Sequence, residues 1–171
     1  MTSSTRITKL EVLAIASALA FAILSASGLA ALTNSASPAA FAQQQQSQSF
    51  TAKLAGNNEV PPVNTPATGM AQFQLSTDGK EVNYNLTATN LQGFMMAHIH
   101  QGKAGENGQP VAPLSMGKAK ITSSDLKGPL AGKQISDLVD LMKNGGAYAN
   151  IHTQQHQDGE IRGQIMIGTS G

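Results

Sequence analysis

An antiparallel Greek-key β-sandwich with one short helix is the fold the sequence predicts for residues 50–168. Three observations lead there. Several short segments alternate apolar and polar residues, most cleanly Glu81 to Thr89 (EVNYNLTAT). Turn dipeptides such as Asp78-Gly79 and Asp158-Gly159 recur between them. Only residues 136–143 carry a helical apolar stripe. Many short strands with close turn signals and one helix describe an antiparallel sandwich or barrel.

The chain opens on Arg6 and Lys9, continues through an almost wholly apolar run from Val12 to Leu32, and offers Ala40-Phe41-Ala42 as a cleavage site. A basic start, an apolar run and small residues before a cut describe an export signal over residues 1–42. The run approaches the roughly 20 residues needed to span a bilayer, so an uncleaved anchor is the alternative. Residues 43–49 (QQQQSQS) are polar and low in complexity and read as a linker.

Phe50 to Leu54 is the first strand candidate. Asn57 to Pro66 holds prolines that cannot donate ladder hydrogen bonds, which makes it a loop. In Met70 to Ser76, Ala71, Phe73 and Leu75 share one face. Asp78-Gly79 turns the chain into Glu81–Thr89, where Val82, Tyr84, Leu86 and Ala88 line the apolar face. Asn85-Leu86-Thr87 is a glycosylation sequon on the other, exposed face. Phe94 to His100 is a strand, followed by a Gly-rich loop, Gln101 to Gln109, without the pattern of a phosphate cradle. Val111–Leu114 and Lys118–Ile121 are short strands. Ser136 caps a helix whose Leu138, Val139, Leu141 and Met142 face the core. Ala147–Thr153 and Glu160–Ile167 close the domain around a turn at Gln157-Asp158-Gly159.

There is no cysteine, so neither a disulfide framework nor a lipidated cysteine is available. Beyond residue 42 nine Lys/Arg balance nine Asp/Glu, with no basic run. Capture of nucleic acid needs a positive stripe, which excludes that partner class.

All four histidines fall in two stretches, Ala97–His100 and Ala147–Gln164. His98 and His100 are two apart on a strand and share a face, about 6.6 Å apart along the backbone. If the strand bearing His152 is their neighbour, His152 supplies a third imidazole, because facing residues sit about 5 Å apart. Three imidazoles suit copper or zinc. The competing reading makes these rings neutral hydrogen-bonding supports for loops. Glu160 and Arg162 share a face, and a structural ion pair is expected for Arg162 with Glu160 or with Glu59, the latter fixing the Glu59-Val60-Pro61-Pro62 loop. Met95, Met96 and Met116 are candidate soft copper ligands, but are expected to fill core gaps. No serine sits in a G-x-S-x-G elbow, which argues against a hydrolase.

Four pieces of the chain, in order, resemble the CHRD domain. They are Leu54-Ala55-Gly56 with Glu59-Val60-Pro61-Pro62 and Ala67-Thr68-Gly69; His98-Ile99-His100 with Gly102, Gly105 and Gly108; Tyr148 with Asn150-Ile151-His152-Thr153; and Gly159-Glu160-Ile161-Arg162-Gly163-Gln164. The chain departs from the pattern in the turn, where the family commonly has Pro-Gly-Gly, and His156 holds a variable position. The resemblance implies a β-sandwich similar in outline to immunoglobulin-like and copper/zinc superoxide dismutase-like domains, with Glu59, Asn150, Glu160 and Arg162 in the structural motif. It implies no settled activity. A dismutase site uses more histidines than this chain owns, plus an aspartate and a disulfide. The expectation is therefore a secreted or membrane-tethered, non-enzymatic binding module for extracellular protein, matrix or a metal ion, tied to a membrane only through residues 1–42. The alternative is a copper- or zinc-dependent extracellular enzyme using His98, His100 and His152.

Overall fold

The computed structural model describes residues 48–168, so the export segment and most of the expected linker lie outside the described residues. Ser49, assigned to the linker from sequence, already opens the first strand.

Nine strands form: β1 (Ser49–Ala55), β2 (Thr68–Leu75), β3 (Glu81–Thr89), β4 (Phe94–Gln101), β5 (Pro110–Leu114), β6 (Gly117–Thr122), β7 (Ala147–Thr153), β8 (Ile161–Gln164) and β9 (Met166–Ile167). Helix α1 (Ile135–Lys143) leads into β7. The strands lie in the order β5-β4-β7-β8-β1-β2-β3-β6, with β9 also on β1. Every pairing is antiparallel. The expected all-β class with one short helix is what forms. Its two halves are one continuous sheet, nearly closed into a barrel-like shape and joined through β1. The β3–β4 and β6–β7 connections cross from one half to the other, in Greek-key manner.

The alternating pattern sets the register. Ala71 faces Leu86 and Phe73 faces Tyr84 on the inner side of β2 and β3, while Gln72 faces Asn85 and Gln74 faces Asn83 on the outer side. A one-residue slip would turn the amides into the core. Inward residues of both halves, among them Leu54, Phe73, Leu86, Ile99, Ile151 and Ile161, make one core. Without disulfides this burial holds the domain, each such side chain contributing about 1.5–3 kcal/mol.

Three local expectations are corrected. The helix begins one residue earlier, at Ile135, and Gln134 rather than Ser136 caps it. The Gln134 backbone N–H donates to Asp137 at 2.8 Å, and Asp137 Oδ2 thereby satisfies an end group of the helix. Asn85 is half-buried between Gln72 and Lys118 rather than exposed. Met95, Met96 and Met116 do not fill the core but are exposed. Met95 and Met96 lie on β4 and Met116 in the β5–β6 turn, a placement their apolar composition does not reveal.

Candidate metal site

The site lies on the outer face of β4, β7 and β8. In β4, Ala97 and Ile99 point inward, which turns His98 and His100 outward. In β7, Ala147, Ala149 and Ile151 belong to the core, which turns Tyr148, Asn150 and His152 outward. Register then places Met96 opposite His152, His98 opposite Asn150, and His100 opposite Tyr148. On the far side of β7, Asn150 faces Arg162 and Tyr148 faces Gln164.

An outer face normally meets water, yet every residue of β7 is buried. The Gly-rich loop covers it at Tyr148, and the Gln157–Gly159 turn meets His152 and Asn150. The Gly108 backbone N–H donates to Tyr148 Oη at 3.1 Å. Asn107 accepts from Arg162 Nη1 at 3.0 Å and donates to the Val60 carbonyl at 2.8 Å, tying this loop to the Glu59–Pro62 segment. Gly108 permits the approach: a Cβ there would sit 1.6 Å from the Gln101 carbonyl oxygen.

His98, His100 and His152 converge. Their ring centroids are 5.7 Å (His98–His100), 5.5 Å (His98–His152) and 5.6 Å (His100–His152) apart. One ring nitrogen from each lies within 4.8 Å of the others. Nδ1 of His100 is 2.9 Å from the Gly108 carbonyl, and Nδ1 of His152 is 2.8 Å from the Gln157 carbonyl. A carbonyl only accepts, so both Nδ1 atoms carry the proton and both Nε2 atoms present a lone pair. Those two Nε2 atoms are buried without a hydrogen-bond partner. Burial lowers the pKa of His98, with help from His152 and Lys127. It pushes His100 down to about 4, opposed by the Gly108 carbonyl and aided by His152, His98 and Arg162. Both rings are neutral at pH 7, the state that ligates metal.

The donor set fits a metal. Bonds of about 2.1 Å at tetrahedral angles would hold the three nitrogens roughly 3.4 Å apart, within reach of small ring rotations. Carbonyls on the remote nitrogens are the usual second shell of a ligating histidine. One cation takes a lone pair from each of the three rings at once. His156 is not in the cluster. Its backbone closes the β7–β8 turn, its carbonyl accepting from the Thr153 and Gly159 N–H groups.

Beside the histidines stands a stacked column. Tyr148 lies on His100, 5.0 Å between centroids and 16° from parallel. The Arg162 guanidinium lies 3.6 Å from the Tyr148 ring centroid. Arg162 is 2 % exposed, and its Nη2 also donates to the Glu106 carbonyl at 2.8 Å. The expected ion pair of Arg162 with Glu59 or Glu160 is absent. Among the described residues the ion pairs are Lys120–Glu81 and Lys143–Asp140, neither in this site. Arg162 is held instead by a tyrosine face, a side-chain amide and a carbonyl. Glu160 accepts from Thr65 and Thr153, each at 2.7 Å, and so pins the first loop to β7. Glu59 is buried, with Oε1 unpartnered. Desolvation raises its pKa to about 7 against the opposing pull of Arg162. Asn150 Oδ1 is likewise buried and unpartnered. Both groups crowd Gly159, whose φ of +135° favours glycine and where a Cβ would lie 2.7–2.9 Å from their polar atoms.

Asn107 was missed from sequence, as were the roles of the Gly108 and Gln157 carbonyls and the stacking role of Tyr148. A glycine eight residues after His100 and a turn five residues after His152 were the only signals. Comparison with curated proteins and with solved structures finds no match. A family model described as the CHRD domain does match, over residues 50–165, a span that runs from the second residue of β1 past β8 and holds every site residue above, and the chain belongs to the CHRD domain family.

Proposed function

We propose that this CHRD domain is a non-enzymatic binding module that works outside the cytoplasm and holds one copper or zinc ion through His98, His100 and His152. The observation that carries the reading is the pair of buried, unpartnered Nε2 atoms in a cluster where one nitrogen of each of three imidazoles lies within 4.8 Å of the others. Unpartnered buried polar groups each cost about 1–3 kcal/mol, and a metal removes that cost for both. Neutral nitrogen donors suit copper and zinc better than calcium or magnesium, and copper binds the more tightly of the two. Export is the reading of residues 1–42, supported by their basic start, apolar run and small-residue cleavage site. Among the described residues no helix is long and apolar enough to cross a membrane. Three protein ligands leave a coordination position open, and His98 is only half-buried on that side. A small molecule or a partner's side chain fits there, and so would a substrate if the site were an enzyme.

Calorimetric titration of the folded, metal-free domain tests the reading. One equivalent of Zn²⁺ or Cu²⁺ is expected to bind. His152→Ala and His100→Ala should each weaken binding by about tenfold or more, while His156→Ala should not. With both pKa values lowered, protons should compete for His98 only below the ordinary histidine pKa and for His100 only near pH 4. Absence of saturable one-site binding at micromolar metal would overturn the proposal.

A further inference from the structure

We infer that Met96 is a fourth, thioether ligand of the three-histidine site and that the ion it selects is Cu⁺. The inference rests on the metal reading above and extends it. Met96 stands directly opposite His152 and two residues before His98, so all four side chains rise from the same outer face. Directly opposed residues have Cβ atoms about 4.5–5.5 Å apart, and methionine has three rotatable bonds with which to turn its sulfur. The pairing of β4 with β7 shifts between Phe94 and Met96. That irregularity leaves Met95 unpaired and brings Met96 into line with His152, as bulges next to binding sites commonly re-aim a side chain.

Met96 is 44 % exposed, so packing neither requires this methionine nor restrains it. It sits at the half-buried, His98 side of the cluster, where a fourth ligand is needed.

Charge points the same way. The ligand set contains no anion, and two cations press on it, Lys127 on His98 and Arg162 on His100. A divalent ion must carry its full charge into that field, while a monovalent ion carries half as much. Soft thioether with imidazole suits Cu⁺, whereas Zn²⁺ gains little from a neutral sulfur.

The test is anaerobic competition for Cu⁺ against a chromophoric chelator, with Zn²⁺ affinity measured in parallel on the same preparations. The proteins are wild type, Met96→Leu and, as a control, Met166→Leu in β9, which pairs with β1 at a distance along the sheet from β4. Leucine at exposed position 96 leaves the core untouched, so the variant folds. Met96→Leu is expected to weaken Cu⁺ binding by about tenfold or more and to change Zn²⁺ binding by less than about threefold. X-ray absorption of the Cu⁺ form should show one sulfur neighbour that Met96→Leu removes and Met166→Leu retains. Equal Cu⁺ affinity in wild type and Met96→Leu, or a wild-type spectrum with nitrogen neighbours alone, overturns the inference and leaves the three-histidine reading standing. A wild-type domain that binds neither ion overturns both.

Discussion

Glu59→Gln should stabilise the domain, and only at alkaline pH. Glu59 is buried with one carboxylate oxygen unpartnered, and its pKa is raised from 4.5 to about 7. Arg162 attracts the charge but forms no ion pair with it, so desolvation wins. A raised folded-state pKa means that the folded chain binds more protons than the unfolded one between the two values. The stabilisation is full below about pH 4.5, falls as pH rises and is gone above about pH 7. A shift from 4.5 to about 7 corresponds to roughly 3 kcal/mol in full, of which about 2.5 kcal/mol is lost between pH 5 and pH 8.5. Glutamine has nearly the same shape and carries no charge at either pH. Urea denaturation of both proteins at pH 5 and pH 8.5 reads the effect. The stability difference between variant and wild type should move by about 2.5 kcal/mol in favour of glutamine across that interval. A constant difference, or one that moves against glutamine, would show that Glu59 is ionised and paired in the folded protein, and the account of this corner would be wrong.

Two further substitutions probe the column beside the histidines. Arg162→Ala removes two hydrogen bonds from a charged donor and a cation–π contact, and should cost about 3 kcal/mol or more in urea denaturation; a loss below about 1 kcal/mol would mean the guanidinium is not held as described. Tyr148→Phe keeps the ring between Arg162 and His100 but removes the acceptor of the Gly108 N–H, and should cost about 1–2 kcal/mol in the same assay. It should also weaken metal binding, because the Gly108 carbonyl positions His100, and unchanged affinity would contradict that link.

The strands were legible where one face is buried and the other exposed. Val82, Tyr84 and Leu86 announce β3 by alternation alone, and the same period places His98 and His100 together. That β4 and β7 are neighbours, which brings in His152, was only a conditional expectation, since strand order depends on contacts far apart in the chain. The cover over the outer face was not legible. AYANIHT alternates like a half-exposed strand, and nothing in it reports that residues 101–109 lie across Tyr148 or that the Gln157–Gly159 turn closes on His152 and Asn150. Arg162 misled for a related reason. Two carboxylates stood near it in the motifs, but its partners are the Glu106 carbonyl, Asn107 and a ring face, which a motif does not display. The helix start was misplaced because serine is the commoner cap, whereas here Asp137 reaches back to Gln134.

His100 and His152 hold their Nδ1 protons on the carbonyls of Gly108 and Gln157, which leaves both buried Nε2 atoms bare for a metal. Long-range nitrogen–proton correlation spectra of the imidazoles in the metal-free domain measure this directly. Both rings are expected as the Nδ1–H tautomer at pH 7, with both Nε2 resonances moving together on addition of Zn²⁺ and saturating at one equivalent. Protonated Nε2 atoms in the metal-free domain, or Nε2 resonances that stay in place as zinc is added, would contradict this arrangement.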